Sequence, residues 1–114
     1  MTGTAFQNTI LENCTFEDCR MQYANFAEAT FREVRFVRCD LTETSFAALK
    51  KKSKPILTEC ELVKTDFTDT SLAGLDIRSC HISSLTLRLE DVKGMIVSPE
   101  QALYFAAMMG LKIR

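Results

Sequence analysis

The chain has 114 residues, of which 46% are hydrophobic and 25% are charged, and its formal net charge at pH 7 is −1. This length favours one domain, no apolar run approaches the roughly eighteen residues that span a membrane, and residues 1–16 lack the basic and apolar regions of a signal peptide. We therefore expect a single cytoplasmic domain that neither crosses nor binds a membrane.

A five-residue repeat runs through most of the chain. In the first half, nine apolar residues follow one another at this spacing, namely Phe6, Leu11, Phe16, Met21, Phe26, Phe31, Phe36, Leu41 and Phe46. After a break, nine more follow with the register displaced by one residue, namely Leu57, Leu62, Phe67, Leu72, Ile77, Ile82, Leu87, Val92 and Val97. A period of five keeps its residues on one face of neither a helix nor a strand. The pattern is therefore an internal repeat, and it predicts a repeat architecture over residues 4–98.

Small residues are common at the position two before each apolar residue, and all five cysteines lie there, namely Cys14, Cys19, Cys39, Cys60 and Cys80. The last four are spaced by 20, 21 and 20 residues, which predicts a coil of twenty residues with these cysteines stacked along one side. A zinc site or a disulfide is disfavoured, because the chain has no CxxC motif and one histidine. We expect inaccessible free thiols and no metal or cofactor, as suits a reducing cytoplasm.

The segments CRMQY, ANFAE, ATFRE, CDLTE and TDFTD share one pattern, in which a small residue and a polar residue precede a large apolar residue and two variable residues. In this pattern the chain resembles the pentapeptide repeat proteins. The resemblance implies an all-β fold, a right-handed quadrilateral β-solenoid of under five coils, with one pentapeptide on each side and the apolar residues stacked inside. The first coil has no cap of its own, so we expect it to meet either a partner or further repeats.

The repeat is interrupted at residues 47–56, where the sequence reads AALKKKSKPI. No apolar residue stands where the next repeat is due, and a lysine is not expected inside a solenoid. The cluster of Lys50, Lys51, Lys52 and Lys54 therefore predicts a loop pushed out of one side, which ends at Pro55. Such a loop could contact an acidic protein or a nucleic acid, or it could be a solvated charge run without a partner.

The last segment, SPEQALYFAAMMGLKIR, departs from the repeat and predicts a C-terminal capping helix and tail over residues 99–114. Ser98 is a good N-cap, Gln101 completes a capping box with it, and Gly110 ends the helix. Residues 102–109 are apolar on all sides, so the helix could cover the last coil with one face and a second copy with the other. A helix that only caps its own solenoid is the alternative. We expect a homodimer whose interface contains Leu103, Tyr104, Met108, Leu111 and Ile113.

The run GMIVSPEQALYFAAMMGLKI also resembles the C-terminal end of the Qnr-type quinolone-resistance proteins. That resemblance implies dimerisation through this end and binding to bacterial DNA gyrase, a type II topoisomerase, as a mimic of duplex DNA. The charges argue against mimicry, which needs a dense acidic surface, because the net charge without the four lysines of the break is only −5. In addition, acidic residues of one coil are expected to lie over arginines of the next and to neutralise them. These residues are Glu17 and Asp18, over Arg35 and Arg38.

Catalysis has little support in the sequence. His81, the one histidine, lies at an outward position, and a triad drawn with Asp66 or Asp76 would stand on a convex wall without a pocket. We therefore expect no enzyme and no catalytic residue. The leading hypothesis is an interaction protein that binds another macromolecule, a protein and not a nucleic acid, through its solenoid faces and the lysine loop. The alternative hypothesis is a gyrase-binding protein of the DNA-mimic type.

Overall fold

The computed structural model describes residues 3–51 and 53–111. The chain winds into a β-solenoid of about four coils, and the described residues include one α-helix, which lies at the C-terminal end. The principal extents are 43 × 24 × 20 Å, so the molecule is elongated. The predicted fold class is thereby confirmed. Within the described ranges, every helix is too short or too polar to pass through a lipid bilayer.

Short parallel strands form the sides of the solenoid. The first side contains β1 (Ile10–Glu12), β3 (Thr30–Arg32) and β5 (Lys50–Lys51), and the second side contains β2 (Thr15–Glu17), β4 (Arg35–Val37) and β6 (Ile56–Thr58). On the third side β7 (Glu61–Val63) pairs with β8 (His81–Ser83), and on the fourth side isolated bridges join Ala5, Asn25, Ser45, Asp66 and Thr86. Paired residues are 20 apart before the break and 21 apart across it, which confirms the predicted coil.

The corners between the sides depend on a left-handed backbone conformation. Among the described residues, thirteen that are not glycine, most of them five apart, have φ between 51° and 62°. Such residues rarely adopt this conformation, which costs on the order of 1 kcal/mol. At these corners the backbone N–H donates to a carbonyl of the next coil, for example from Asp18 to Val37 at 2.9 Å and from Glu43 to Val63 at 2.8 Å. The hydrogen bonds between coils therefore offset the cost of each turn.

Stacked phenylalanine rings fill the interior of the fourth side. The ring centroids of Phe6 and Phe26 are 4.6 Å apart, those of Phe26 and Phe46 are 5.2 Å apart, and those of Phe46 and Phe67 are 5.5 Å apart. All three pairs are nearly parallel, because in-register strands place identical positions above one another. Ring pairs of this kind contribute about 0.5–1.5 kcal/mol beyond the burial of their area. The apolar repeat thus supplies the core that was predicted from its spacing.

The small residues of the repeat also bond inside the solenoid. The hydroxyl groups of Thr44, Thr65 and Thr70 donate to the carbonyls of Met21, Leu41 and Phe46 in the preceding coil, at 2.6, 2.8 and 2.6 Å. Two buried thiols do the same, with Cys39 donating to Phe16 and Cys60 donating to Phe36. Burying a polar group is costly unless it is hydrogen-bonded, so each donor both fills space and satisfies a carbonyl. No buried side-chain nitrogen or oxygen lacks a partner in the described part of the chain.

The five cysteines are free, and their burial depends on the coil in which they lie. Cys39, Cys60 and Cys80 are buried, and burial raises the pKa of Cys39 to about 11. Cys14 and Cys19 are only half-buried, as are the neighbouring Phe6, Leu11 and Phe16. The expectation of packed thiols is confirmed for the inner coils. The expectation that all five are inaccessible is wrong for the two in the first coil.

The helix α1 (Pro99–Met108) follows a short 3₁₀ helix at Leu89–Val92. Its predicted start is confirmed, since the Ser98 hydroxyl accepts from the Gln101 backbone N–H and the Gln101 side chain accepts from the Ser98 N–H. Gly110 follows the helix with φ near 80°, a conformation that favours glycine. The helix lies across the last coil, where Phe105 and Gln101 are its buried residues.

Candidate partner-binding surfaces

The lysine cluster does not form the protruding loop that the sequence predicted. Lys51 pairs in register with Phe31, at the position where the other coils place an apolar residue. Its side chain is half-buried, and its ammonium group donates to the carbonyl oxygen of Ser71 in the next coil. Burial and the nearby charge of Lys54 lower the pKa of this ammonium group. A lysine can therefore occupy this position, because its long stem packs inside while its charged end reaches a carbonyl.

The break is an insertion of one residue at the corner between the first and second sides. Arg35 follows Phe31 by four positions in the second coil, whereas Ile56 follows Lys51 by five positions in the third. Pro55 is buried at this corner, and Lys54 is exposed. Lys52, which was also predicted to belong to the loop, lies outside the described residues.

Positive charge collects around this corner. Arg32, Arg35, Lys50 and Lys54 are exposed, and Lys51 lies beside them. We call these five residues the basic corner. In the part of the chain that the structure describes, none of them makes an ion pair with a carboxylate. Sequence reasoning missed the two arginines as candidates, because only the stacking of the coils brings them beside the lysines of the next coil.

Three other arginines are neutralised by their neighbours. Arg38 contacts Glu17 at 2.7 Å and Asp18 at 2.8 Å in the preceding coil, which confirms the predicted alternation of charge between coils for Arg38. The same prediction is wrong for Arg35, which pairs in register with Thr15. The guanidinium of Arg38 lowers the pKa of Asp18 through their hydrogen bond. Arg78 pairs with Asp76 at 2.9 Å, and Arg88 pairs with Asp69 and Glu90. The basic corner differs from these sites because several cations lie together there without an ion pair among the described residues.

Two shallow depressions run along the second side next to the basic corner. One has a volume of about 440 Å³ and is lined by Asn13, Thr15, Glu33, Arg35, Ser53, Lys54 and Ile56. The other has a volume of about 570 Å³ and continues past Lys54 and Ile56 to Asp76, Arg78 and Ser79. Lys54 and Ile56 line both depressions, which therefore adjoin each other, and we call the two together the second-side groove. Ile56 is 48% exposed where they meet.

A catalytic arrangement is not assembled around His81. His81 lines an open depression of about 290 Å³ with Arg78, Glu100 and Tyr104. The two aspartates considered for a triad are bonded elsewhere, since Asp66 accepts from Thr68 and Asp76 pairs with Arg78. Among the described residues, no group of three or more histidine, cysteine or acidic side chains has the arrangement of a metal site.

The C-terminal helix carries a second candidate surface. Leu103, Met108, Met109 and Leu111 are between 37% and 60% exposed. Tyr104 faces its own solenoid, since its hydroxyl accepts from the Leu85 N–H at 2.9 Å. An apolar crevice of about 230 Å³ opens between the helix and the last coil, lined by Val92, Met95, Val97, Ala102, Phe105, Ala106 and Met109. The predicted interface residue Ile113 lies outside the described residues.

Comparison with known proteins identifies the repeat. The family model for the pentapeptide repeat region matches residues 1–54. No curated protein sequence matches the chain significantly. Among solved structures, the chain is similar to two trypsin-treated variants of QnrB1, a plasmid-mediated fluoroquinolone resistance protein, at 14% and 11% identity and TM-scores of 0.40 and 0.45. Each match covers 99% of this chain and 86% of the other. A pentapeptide repeat protein of the cyanobacterium Cyanothece 51142 is similar at 10% identity over 85% of this chain and 90% of its own, with a TM-score of 0.36.

Proposed function

Because the family model for the pentapeptide repeat region matches residues 1–54, we propose that this chain is a pentapeptide repeat protein and a non-enzymatic, cytoplasmic interaction protein that binds another protein through its solenoid faces. The observation that carries the proposal is the basic corner, where five cations lie without acidic partners beside an open groove. Regular walls without an enclosed cavity suit contact with an extended surface better than the enclosure of a small substrate. Five free cysteines support a reducing compartment.

Selection from a displayed peptide library tests this function. We expect the folded protein to enrich peptides that a variant with Lys50→Glu and Lys54→Glu does not enrich, because both lysines are exposed and their replacement leaves the core intact. Matching circular dichroism spectra would establish that the variant is folded. Equal enrichment by both proteins, or none by either, would contradict binding through this part of the surface.

The alternative function, a gyrase-binding mimic of DNA, is tested by a separate assay. The C-terminal sequence favours it, whereas the pairing of Arg38 with Glu17 and Asp18 removes negative charge from the second side. We expect the protein to leave quinolone-inhibited gyrase unprotected in a supercoiling assay over a wide concentration range. Dose-dependent protection would replace the proposed function with the alternative.

We also propose that two copies associate through the C-terminal helix. Leu103 is 52% exposed and Leu111 is 58% exposed, so each would gain from burial against a second copy. Complete burial of a large apolar side chain contributes about 1.5–3 kcal/mol. In a two-fold dimer each of these residues is buried in both copies, so its contribution counts twice. The half-buried Tyr104 would then serve mainly to hold the helix on its own solenoid.

Light scattering measures this association. We expect about twice the 12.9 kDa monomer mass at micromolar concentration, and the monomer mass for Leu103→Glu with an unchanged circular dichroism spectrum. Lys93→Glu, at an exposed position outside the helix, is the control and should remain a dimer. A monomer at every concentration of the unmodified protein would show that the helix serves as a cap alone.

A further inference from the structure

The charges of the basic corner are arranged to receive acidic groups from outside the chain. Arg35 lies in register between Thr15 and Ile56, so its side chain stands beside the exposed Ile56 of the second-side groove. The acidic residues around the basic corner are Glu12, which pairs in register with Arg32, Glu33, which lines the groove, and Asp91, whose charge acts on Lys51. Five cations against these three carboxylates leave a local excess of positive charge, although the whole chain is nearly neutral.

Lys54 lies against the next coil. Its side chain crosses the corner of that coil at Gly74, where a Cβ atom would collide with the Lys54 side chain. Gly74 also has φ near 76°, which favours glycine at this corner. The missing side chain at Gly74 therefore leaves room for Lys54 beside the groove.

The groove fits an extended chain with at least one apolar side chain. Its two halves meet at Lys54 and Ile56, so a segment lying along the second side would pass over the exposed Ile56 with Arg35 and Lys54 beside it. An apolar side chain packed on Ile56 would exclude water from the neighbouring charges and strengthen their attraction to carboxylates.

We propose that the second-side groove and the basic corner bind an acidic segment of a partner protein that carries an apolar side chain. This inference rests on the proposed function and names the chemistry of the partner. A nucleic acid fits less well, because its binding surfaces usually combine rows of cations with aromatic side chains that stack on bases. Neither depression is lined by an aromatic residue, and Glu33 and Asp76 in the groove would repel phosphates. A peptide can instead place neutral residues beside those two carboxylates.

Fluorescence anisotropy with a defined probe tests the proposal. The probe is a fluorescein-labelled peptide in which glutamate and leucine alternate, and we expect it to bind the unmodified protein in a salt-sensitive manner. Arg35→Glu combined with Lys54→Glu should weaken binding at least about tenfold, because two attractions become repulsions. Arg20→Glu combined with Lys64→Glu makes the same charge change at exposed positions away from the groove and should leave the affinity unchanged.

The apolar part of the recognition is tested separately. Ile56→Ser should weaken binding of the glutamate–leucine peptide and should leave unchanged the weaker binding of a peptide with serine in place of leucine. Equal losses in both double variants, or tighter binding of a single-stranded oligonucleotide than of the acidic peptide, would overturn the proposal. So would failure of the acidic peptide to bind. If the displayed library meanwhile enriches peptides of other composition, the proposed function stands and this assignment of the partner fails.

Discussion

Phe36→Ala is expected to lower the free energy of unfolding by about 3–5 kcal/mol, because large-to-small changes in a close-packed core lose both buried area and contacts. The Phe36 side chain is 0% exposed. Its ring stacks on Phe16 at 5.1 Å and meets Phe26 and Phe46 edge to face at 5.7 and 5.6 Å. The alanine variant would leave a cavity with rings on three sides, and the stacked coils have little freedom to collapse into it.

Equilibrium unfolding in guanidinium chloride, followed by circular dichroism, measures this loss. Tyr23→Ala is a matched control, since it removes an aromatic ring that is 61% exposed at a corner. The control should change the free energy of unfolding by less than about 1 kcal/mol. If Phe36→Ala proved as mild as the control, the core described by the five-residue repeat would be wrong.

The register of the solenoid could be predicted because the repeat carries its own internal check. The spacing of Cys39, Cys60 and Cys80 gave the coil length and the single extra residue independently of the apolar positions. The structure pairs Leu62 with Ile82 and Phe36 with Leu57 as that arithmetic requires. In a solenoid each coil contacts only its neighbours, so the period of the repeat is enough to predict how every pair of adjacent coils is aligned.

The site was less predictable, because it depends on where the extra residue is placed. The sequence indicated that a lysine had to leave the interior, so the break was expected to be a loop. In the structure Lys51 stays at the interior position because it can reach the Ser71 carbonyl, and the insertion is confined to the next corner. The contact between the basic corner and the exposed Ile56 follows from that placement, which no periodicity in the sequence reveals.

The C-terminal cap was predicted to be a helix, but the sequence indicated only one of the two roles of Gln101. The capping box is a local pattern, so Ser98 and Gln101 indicated it directly. The amide of Gln101 additionally donates to the carbonyls of Ile77 at 2.7 Å and Cys80 at 2.9 Å. The bond to Ile77 resembles the one that Thr70 makes to the Phe46 carbonyl. In both cases the acceptor lies 24 residues before the donor. Gln101 therefore supplies the donor that the small residue of a further coil would provide.

The last prediction concerns the Gln101 amide, which provides the hydrogen bonds that a further coil would otherwise provide. Gln101→Leu is expected to lower the free energy of unfolding by about 2–5 kcal/mol, since it removes the amide donor from the Cys80 carbonyl, one of two donors from the Ile77 carbonyl, and half of the capping box. Gln101 is 8% exposed, so water cannot readily replace the amide. Glu100→Leu, at the neighbouring exposed position, is the control and should change stability little. Equal unfolding midpoints for the two variants would show that the carbonyls of the last coil do not need this donor.

Gln101→Glu separates the loss of a donor from the loss of packing. An ionised carboxylate at this position would face the Ile77 and Cys80 carbonyl oxygens, so the folded state would raise the pKa of the introduced carboxyl above its unfolded value of about 4.3. A raised acid pKa destabilises the folded state increasingly as the pH rises from the unfolded value through the folded one. The variant should therefore be less stable than Gln101→Leu at pH 7, and it should regain stability relative to that variant near pH 4, where the protonated carboxyl can donate one hydrogen bond. Denaturation at both pH values measures the difference, and a pH-independent gap between the two variants would mean that the side chain at this position does not contact the carbonyls.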